Sequence, residues 1–102
     1  MYAVINHLHF AAPVGADIIK RVQTEVGPLM ETFVGFEGFR VVQVADDHLV
    51  LVITATSQDV LDRLANDVGG PWLRANIAPL LSRPPERLIG PVVVDIGTPS
   101  LN

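Results

Sequence analysis

The sequence predicts an α+β domain of the split β-α-β type, a ferredoxin-like βαββαβ chain with a four-stranded antiparallel sheet. Three observations carry this. Four segments rich in valine, isoleucine, leucine and aromatic residues read as strands. Two stretches with helical spacing of apolar residues follow the first and third of them. The short Asp46-Asp47 signal joins the second and third as a hairpin. With 102 residues the chain fits one domain over residues 1–97, leaving 98–102 as a short flexible tail.

Tyr2 to Phe10 reads as the first strand. Tyr2, Val4, Asn6, Leu8 and Phe10 share one face by the period of two, and Ala3, Ile5, His7 and His9 share the other. Ala11 to Gly15 is a turn containing Pro13. From Ala16 to about Thr32, Ile18, Ile19, Val22, Val26, Leu29, Met30 and Phe33 follow helical spacing; Gly27-Pro28 within it predicts a kink or a break. Val34 to Gly38 is a glycine-punctuated turn, Phe39 to Ala45 the second strand and His48 to Thr56 the third.

Ser57 is a good N-cap for the second helix, whose apolar stripe is Val60, Leu61, Leu64, Ala65 and Val68. Asp59 and Arg63 stand in the favourable i,i+4 order on its solvated face. Gly69-Gly70 predicts its end, with Pro71 opening a further helical segment that carries Leu73, Ile77, Leu80 and Leu81. Pro84-Pro85 closes that segment, and Leu88 to Ile96 reads as the fourth strand.

Composition narrows the function. Seven basic and eleven acidic residues give a net charge of −4, and the basic residues are scattered. Phosphate backbones and anionic membrane surfaces require a concentrated positive patch, so nucleic acid and membrane are not expected partners. The absence of cysteine excludes disulfides, thiolate metal sites and cysteine nucleophiles. Met1 to Phe10 lacks the basic start and apolar stretch of a signal peptide, so the expected location is the cytoplasm. No phosphate-binding glycine loop and no nucleophile elbow is present.

The apolar load, 49% with a mean hydropathy of +0.39, is high for a small monomer. Leu49 to Ile53 and Val92 to Val94 are apolar on both faces of their strands. The second face of such a sheet needs a cover, and the chain holds no spare element to supply one. A second copy packed sheet to sheet is therefore the expected partner.

Strand one with Asn6, the turn Gly35-Phe36-Glu37-Gly38-Phe39, the hydrophobic hairpin and a long second helical region holding Trp72 together resemble the dimeric α+β barrel superfamily, and within it the antibiotic biosynthesis monooxygenase family. The resemblance of layout covers residues 2 to 96. It implies a homodimeric barrel, a pocket between sheet and helices in each subunit, and oxygenation of small aromatic, quinol or polyketide-type substrates without metal or flavin. A haem-degrading branch has an axial histidine two to three turns beyond the tryptophan. Leu73 to Leu81 holds no histidine, so the expected cofactor is none and haem is disfavoured. Non-catalytic binding of a small hydrophobic or aromatic ligand is the alternative, and haem binding through His7, His9 or His48 a third.

By position, Asn6 and Trp72 match the pocket asparagine and tryptophan of the oxygenating branches. An amide among apolar residues must find a partner, in the protein or in a ligand. Trp72 can stack on a flat substrate or serve as core. His7 and His9 join them as candidate catalytic residues because imidazole titrates near neutral pH. Their i,i+2 spacing can also present two rings to one metal, with His48 joining from the hairpin. The sequence dictates no carboxylate beside them, so no metal is expected. Leu8, Phe33, Phe36 and Asn76 are the candidate substrate-binding residues; Phe33, Phe36 and Phe39 can equally fasten the first helix to the sheet.

Overall fold

Alternation along the first strand sets the layers. In β1 (Tyr2–His9) the side chains of Val4, Asn6 and Leu8 are buried, while those between them are half-buried. β1 lies inside a four-stranded antiparallel sheet of order β2-β3-β1-β4, with β2 at Phe36–Ala45, β3 at His48–Ala55 and β4 at Glu86–Pro91. The computed structural model describes residues 1–97; the expected tail, 98–102, lies outside the described residues. The two helices follow β1 and β3 and pack on the face formed by Val4, Asn6 and Leu8.

The first helix, α1, runs through residues 16–30 without a break. Ala16–Arg21 and Gly27–Met30 are α-helical, and Val22–Val26 between them is a π-helical turn. The expected kink at Gly27-Pro28 is therefore replaced by a widened turn. Proline lacks the N–H that an i→i−4 ladder requires, and a wider turn carries the chain past the missing donor.

The second helix, α2, repeats the device. It starts at the Ser57 cap, where Ser57 Oγ accepts from the Val60 N–H at 3.3 Å, and Asp59 pairs with Arg63 at 3.3 Å on the surface. Gln58–Leu64 leads into a π-helical turn at Ala65–Gly69 and then into Gly70–Asn76. Gly69-Gly70 thus does not end the helix, contrary to the sequence expectation. Gly70 permits the passage: a Cβ there would lie 2.6 Å from the Ala65 carbonyl oxygen. A short 3₁₀ turn, Ala78–Leu80, follows.

Two strand boundaries differ from expectation. β2 starts at Phe36, earlier than Phe39, because Gly35 at φ +96° turns the chain sharply into the sheet. β4 spans Glu86–Pro91, not Leu88 to Ile96. Its neighbour explains the early end. Pro91 pairs with Tyr2, the first residue of β1, and Val92 N–H reaches the Met1 carbonyl at 3.0 Å. Beyond that bond Val93 and Ile96 leave the sheet and stand 86% and 90% exposed.

The core falls into two clusters. One gathers Val4, Val26, Met30, Ile53 and Leu64; the other gathers Leu8, Leu49, Leu51 and Ile77. Phe39 and Trp72 pack against both. Along β1, Asn6 lies between Val4 of one cluster and Leu8 of the other, at the seam.

Candidate functional site

At that seam, between the sheet and the two helices, lies a cavity of about 310 Å³. Its wall is almost wholly apolar: Val4, Leu8, Leu49, Leu51 and Ile53 from the sheet, Val22, Val26, Leu61 and Leu64 from the helices. Both π-helical turns border it, through Val22 and Val26 of one and Ala65 and Gly69 of the other.

Asn6 is the one buried polar residue among those described. It lines the cavity, and no hydrogen bond of the described residues engages its carboxamide. Among those residues no polar side-chain atom that is sealed from solvent goes unpaired, so the Asn6 amide keeps some access to solvent, and the cavity is a space it lines. An amide with no protein partner gains about 0.5–1.5 kcal/mol from a ligand that takes the place of water on it.

Trp72 forms part of the wall and is held from outside by a polar cluster. Its Nε1–H donates to Glu25 Oε1 at 3.1 Å, and the Arg21 guanidinium lies 5.6 Å from its ring centre. Arg21 donates to Glu25 at 2.8 Å and to Asn76 Oδ1 at 2.6 Å, while Asn76 Nδ2–H donates to the Trp72 carbonyl at 3.0 Å. The Arg21 hydrogen bond, reinforced by that from Trp72, holds the Glu25 carboxyl below its usual range, and the same carboxylate raises Arg21. The cluster fixes the indole plane with its polar edge outward.

Arg87 is the single charged residue in the cavity lining among the described residues. It stands opposite Asn6 in the β1–β4 ladder and donates to Asp62 Oδ1 of α2 at 3.3 Å, which ties β4 to the helix. Sequence reasoning missed it. The signal was the register: a strand starting at Glu86 puts Arg87 and Ile89 on the helix side, whereas a start at Leu88 omits Arg87.

Of the sequence-predicted site residues, Asn6, Leu8 and Trp72 come together around the cavity. Phe33 and Phe36 do not line it; they pack against the first core cluster and staple α1 to the sheet, while Phe39 does line it. Asn76 belongs to the polar cluster behind Trp72. His7 and His9 sit on the opposite face of the sheet, as the period of two requires, and do not reach the cavity.

On that opposite face the two histidines meet His48. His9 and His48 are directly paired across β1 and β3 and stack at 4.1 Å, and His7 Nδ1 lies 3.0 Å from His48 Nε2. Arg83 Nη2 lies 3.1 Å from His9 Nδ1. Partial burial, then the positive Arg83, lowers the His9 pKa below its ordinary value of 6.5.

No protein-family model matches the chain, and no curated protein does. Solved structures do. A monooxygenase from the gene ActVA-Orf6 of Streptomyces coelicolor, solved with the ligand nanaomycin D, superposes with a TM-score of 0.76 at 16% identity, over 97% of this chain and 92% of the other. The fold is that of the antibiotic biosynthesis monooxygenases. SnoaB, a cofactor-independent oxygenase from Streptomyces nogalater, shares it with a TM-score of 0.73 at 12% identity, over 95% and 97% of the two chains. MhuD, solved as a point mutant with manganese protoporphyrin IX in its active site, shares it with a TM-score of 0.71 at 21% identity, over 96% and 100%. At such identities the monooxygenase fold is common ground and the chemistry must be argued from this chain's own residues.

Those residues do not suit a porphyrin. The cavity lining holds no histidine, and no cysteine, methionine thioether apart from Met30, or tyrosine faces it as an axial ligand. All three histidines lie across the sheet from the cavity.

Proposed function

We propose that the chain is a cofactor-independent monooxygenase acting on a small aromatic, quinol or polyketide-type substrate bound between sheet and helices. The observation that carries this is the unpartnered Asn6 carboxamide in an otherwise apolar cavity. An apolar cavity of about 150 Å³ takes benzene, so about twice that volume suits a fused aromatic of two or three rings. Trp72 supplies a flat, fixed wall for stacking.

Such a substrate brings its own electrons. A ring methylene made acidic by aromatic groups and a carbonyl conjugated with it loses a proton to water to give an enolate, which reacts with dioxygen. The methylene becomes a carbonyl that keeps one oxygen atom, and the other leaves as water. Asn6 donates an amide N–H to the enolate oxygen, and Arg87 sets a positive charge beside the same anion. The dry wall strengthens both interactions. The cavity lining holds no imidazole or carboxylate, so a substrate acidic enough to ionise with this support is the one that reacts.

The protein's partner in this reading is a second copy. Ile5, Val50 and Val52 on the face away from the helices are half-buried, and Val42 and Leu88 beside them are exposed. Such a surface on both copies favours packing sheet to sheet.

Thermal melting with a panel of hydroxynaphthoquinones, quinols and anthrone-type compounds tests the site. A ligand at about 100 times its dissociation constant adds about 2.7 kcal/mol, so one class raises the melting temperature and the same class drives oxygen uptake. Stabilisation without oxygen uptake favours a non-catalytic ligand-binding protein. No stabilisation by any compound contradicts both readings.

A further inference from the structure

The three histidines of the chain gather at one place, and the cavity chemistry uses none of them. His7 and His9 project from β1 as i and i+2, and His48 opens β3 directly across from His9. One nitrogen from each ring lies within 4.8 Å of the other two. Three nitrogens bound at 2.0–2.1 Å in a tetrahedral site stand about 3.3 Å apart. The His7–His48 separation of 3.0 Å already meets that spacing, and small rotations of the His9 ring close the remainder.

We propose that His7, His9 and His48 form a tridentate site for a divalent transition-metal ion of the zinc class, at the end of the sheet face opposite the cavity. All three donors are imidazoles, which suit zinc, copper, nickel and cobalt and not magnesium or calcium. They stand on paired strands, so their backbone spacing is fixed by the ladder and little chain entropy opposes closure. The fourth position is left for water or a further ligand. Glu86, opposite His7 in the β1–β4 ladder, brings negative charge to the same face. Arg83, now 3.1 Å from His9 Nδ1, must swing away when the ion enters.

Tag-free protein, stripped with a chelator, is titrated with zinc by calorimetry and with cobalt by visible absorption. One ion per chain and the intense visible bands of tetrahedral cobalt are expected, with no uptake of magnesium. His9→Gln and His48→Gln each weaken zinc binding about tenfold or more, on the scale seen for losing even an outer-sphere partner. Arg83→Gln, which removes a competing donor and a positive charge, tightens it. Absence of zinc uptake by the unsubstituted protein overturns the proposal whatever the variants do, and so does uptake that His48→Gln leaves unchanged.

Discussion

Asn6 places an amide among apolar neighbours with no partner among the described residues, and two substitutions separate what that amide does from what its burial demands. Asn6→Ala removes the donor and is expected to lower the rate of substrate oxidation by about 10²-fold, the usual effect of losing one donor to a developing oxyanion. Asn6→Leu replaces an amide that no protein group engages with a group that fits the wall, and is expected to leave stability unchanged or slightly raised while abolishing turnover. A chemical denaturation curve and a rate measurement on the same preparations check both. A destabilised Asn6→Leu protein would instead make the amide a structural hydrogen-bonding group. Asn6 and Trp72 were legible in the sequence because a lone amide in an apolar alternation and a lone tryptophan each stand out. Arg87 was not, since its role depends on where β4 begins, and that is fixed by pairing with β1 and not by local composition. The three histidines were visible as a set, but their distances depend on the β1–β3 register, which the sequence leaves open.

Each helix carries its π-helical turn just before a Gly-Pro pair, and each turn borders the cavity. The sequence reads Gly27-Pro28 as a kink or break and Gly69-Gly70 as a helix end, with Pro71 opening a new segment, because proline's missing donor and glycine's freedom are local facts. Continuation through a wider turn depends on what lies alongside: α1 and α2 both stay pressed on the sheet. Gly70→Ala is expected to destabilise the domain by about 1–3 kcal/mol, since its Cβ would strike the Ala65 carbonyl at 2.6 Å and close the widened turn. Gly27, beside which nothing lies within 4 Å of an added Cβ, serves as the control: Gly27→Ala is tolerated. The link between helices at Trp72 has a pH signature. Glu25 binds its proton less tightly folded than unfolded, so its contribution is present above its ordinary value of 4.5 and is lost as the pH falls through the lower folded value. The melting-temperature gap between the unsubstituted protein and Glu25→Gln is therefore expected to be widest near neutrality and to narrow below pH 4.5. Both side chains of the Arg21–Glu25 pair are partly exposed, which keeps that gap small and sensitive to salt.

At the scale of the whole molecule the sheet has two different faces. One closes over the helices around a cavity; the other leaves Ile5, Val42, Val50, Val52 and Leu88 uncovered or half-covered. The βαββαβ order and the hairpin were legible because strand period, helix period and turn chemistry agree along the chain. The cavity was not, because it is a space left between two core clusters and no single segment encodes it. A charge on the uncovered face tests the pairing of copies: Val42→Glu is expected to convert a dimer into a monomer by light scattering, with the helical signal retained. Oxygen uptake tests the central claim most directly. Chelator-treated protein is given an anthrone-type substrate in an oxygen electrode, beside Asn6→Ala at equal concentration. The account predicts consumption of one dioxygen per methylene converted to carbonyl, with the rate falling about 10²-fold in the variant. Uptake no faster than the protein-free reaction, or equal in both proteins, would contradict it.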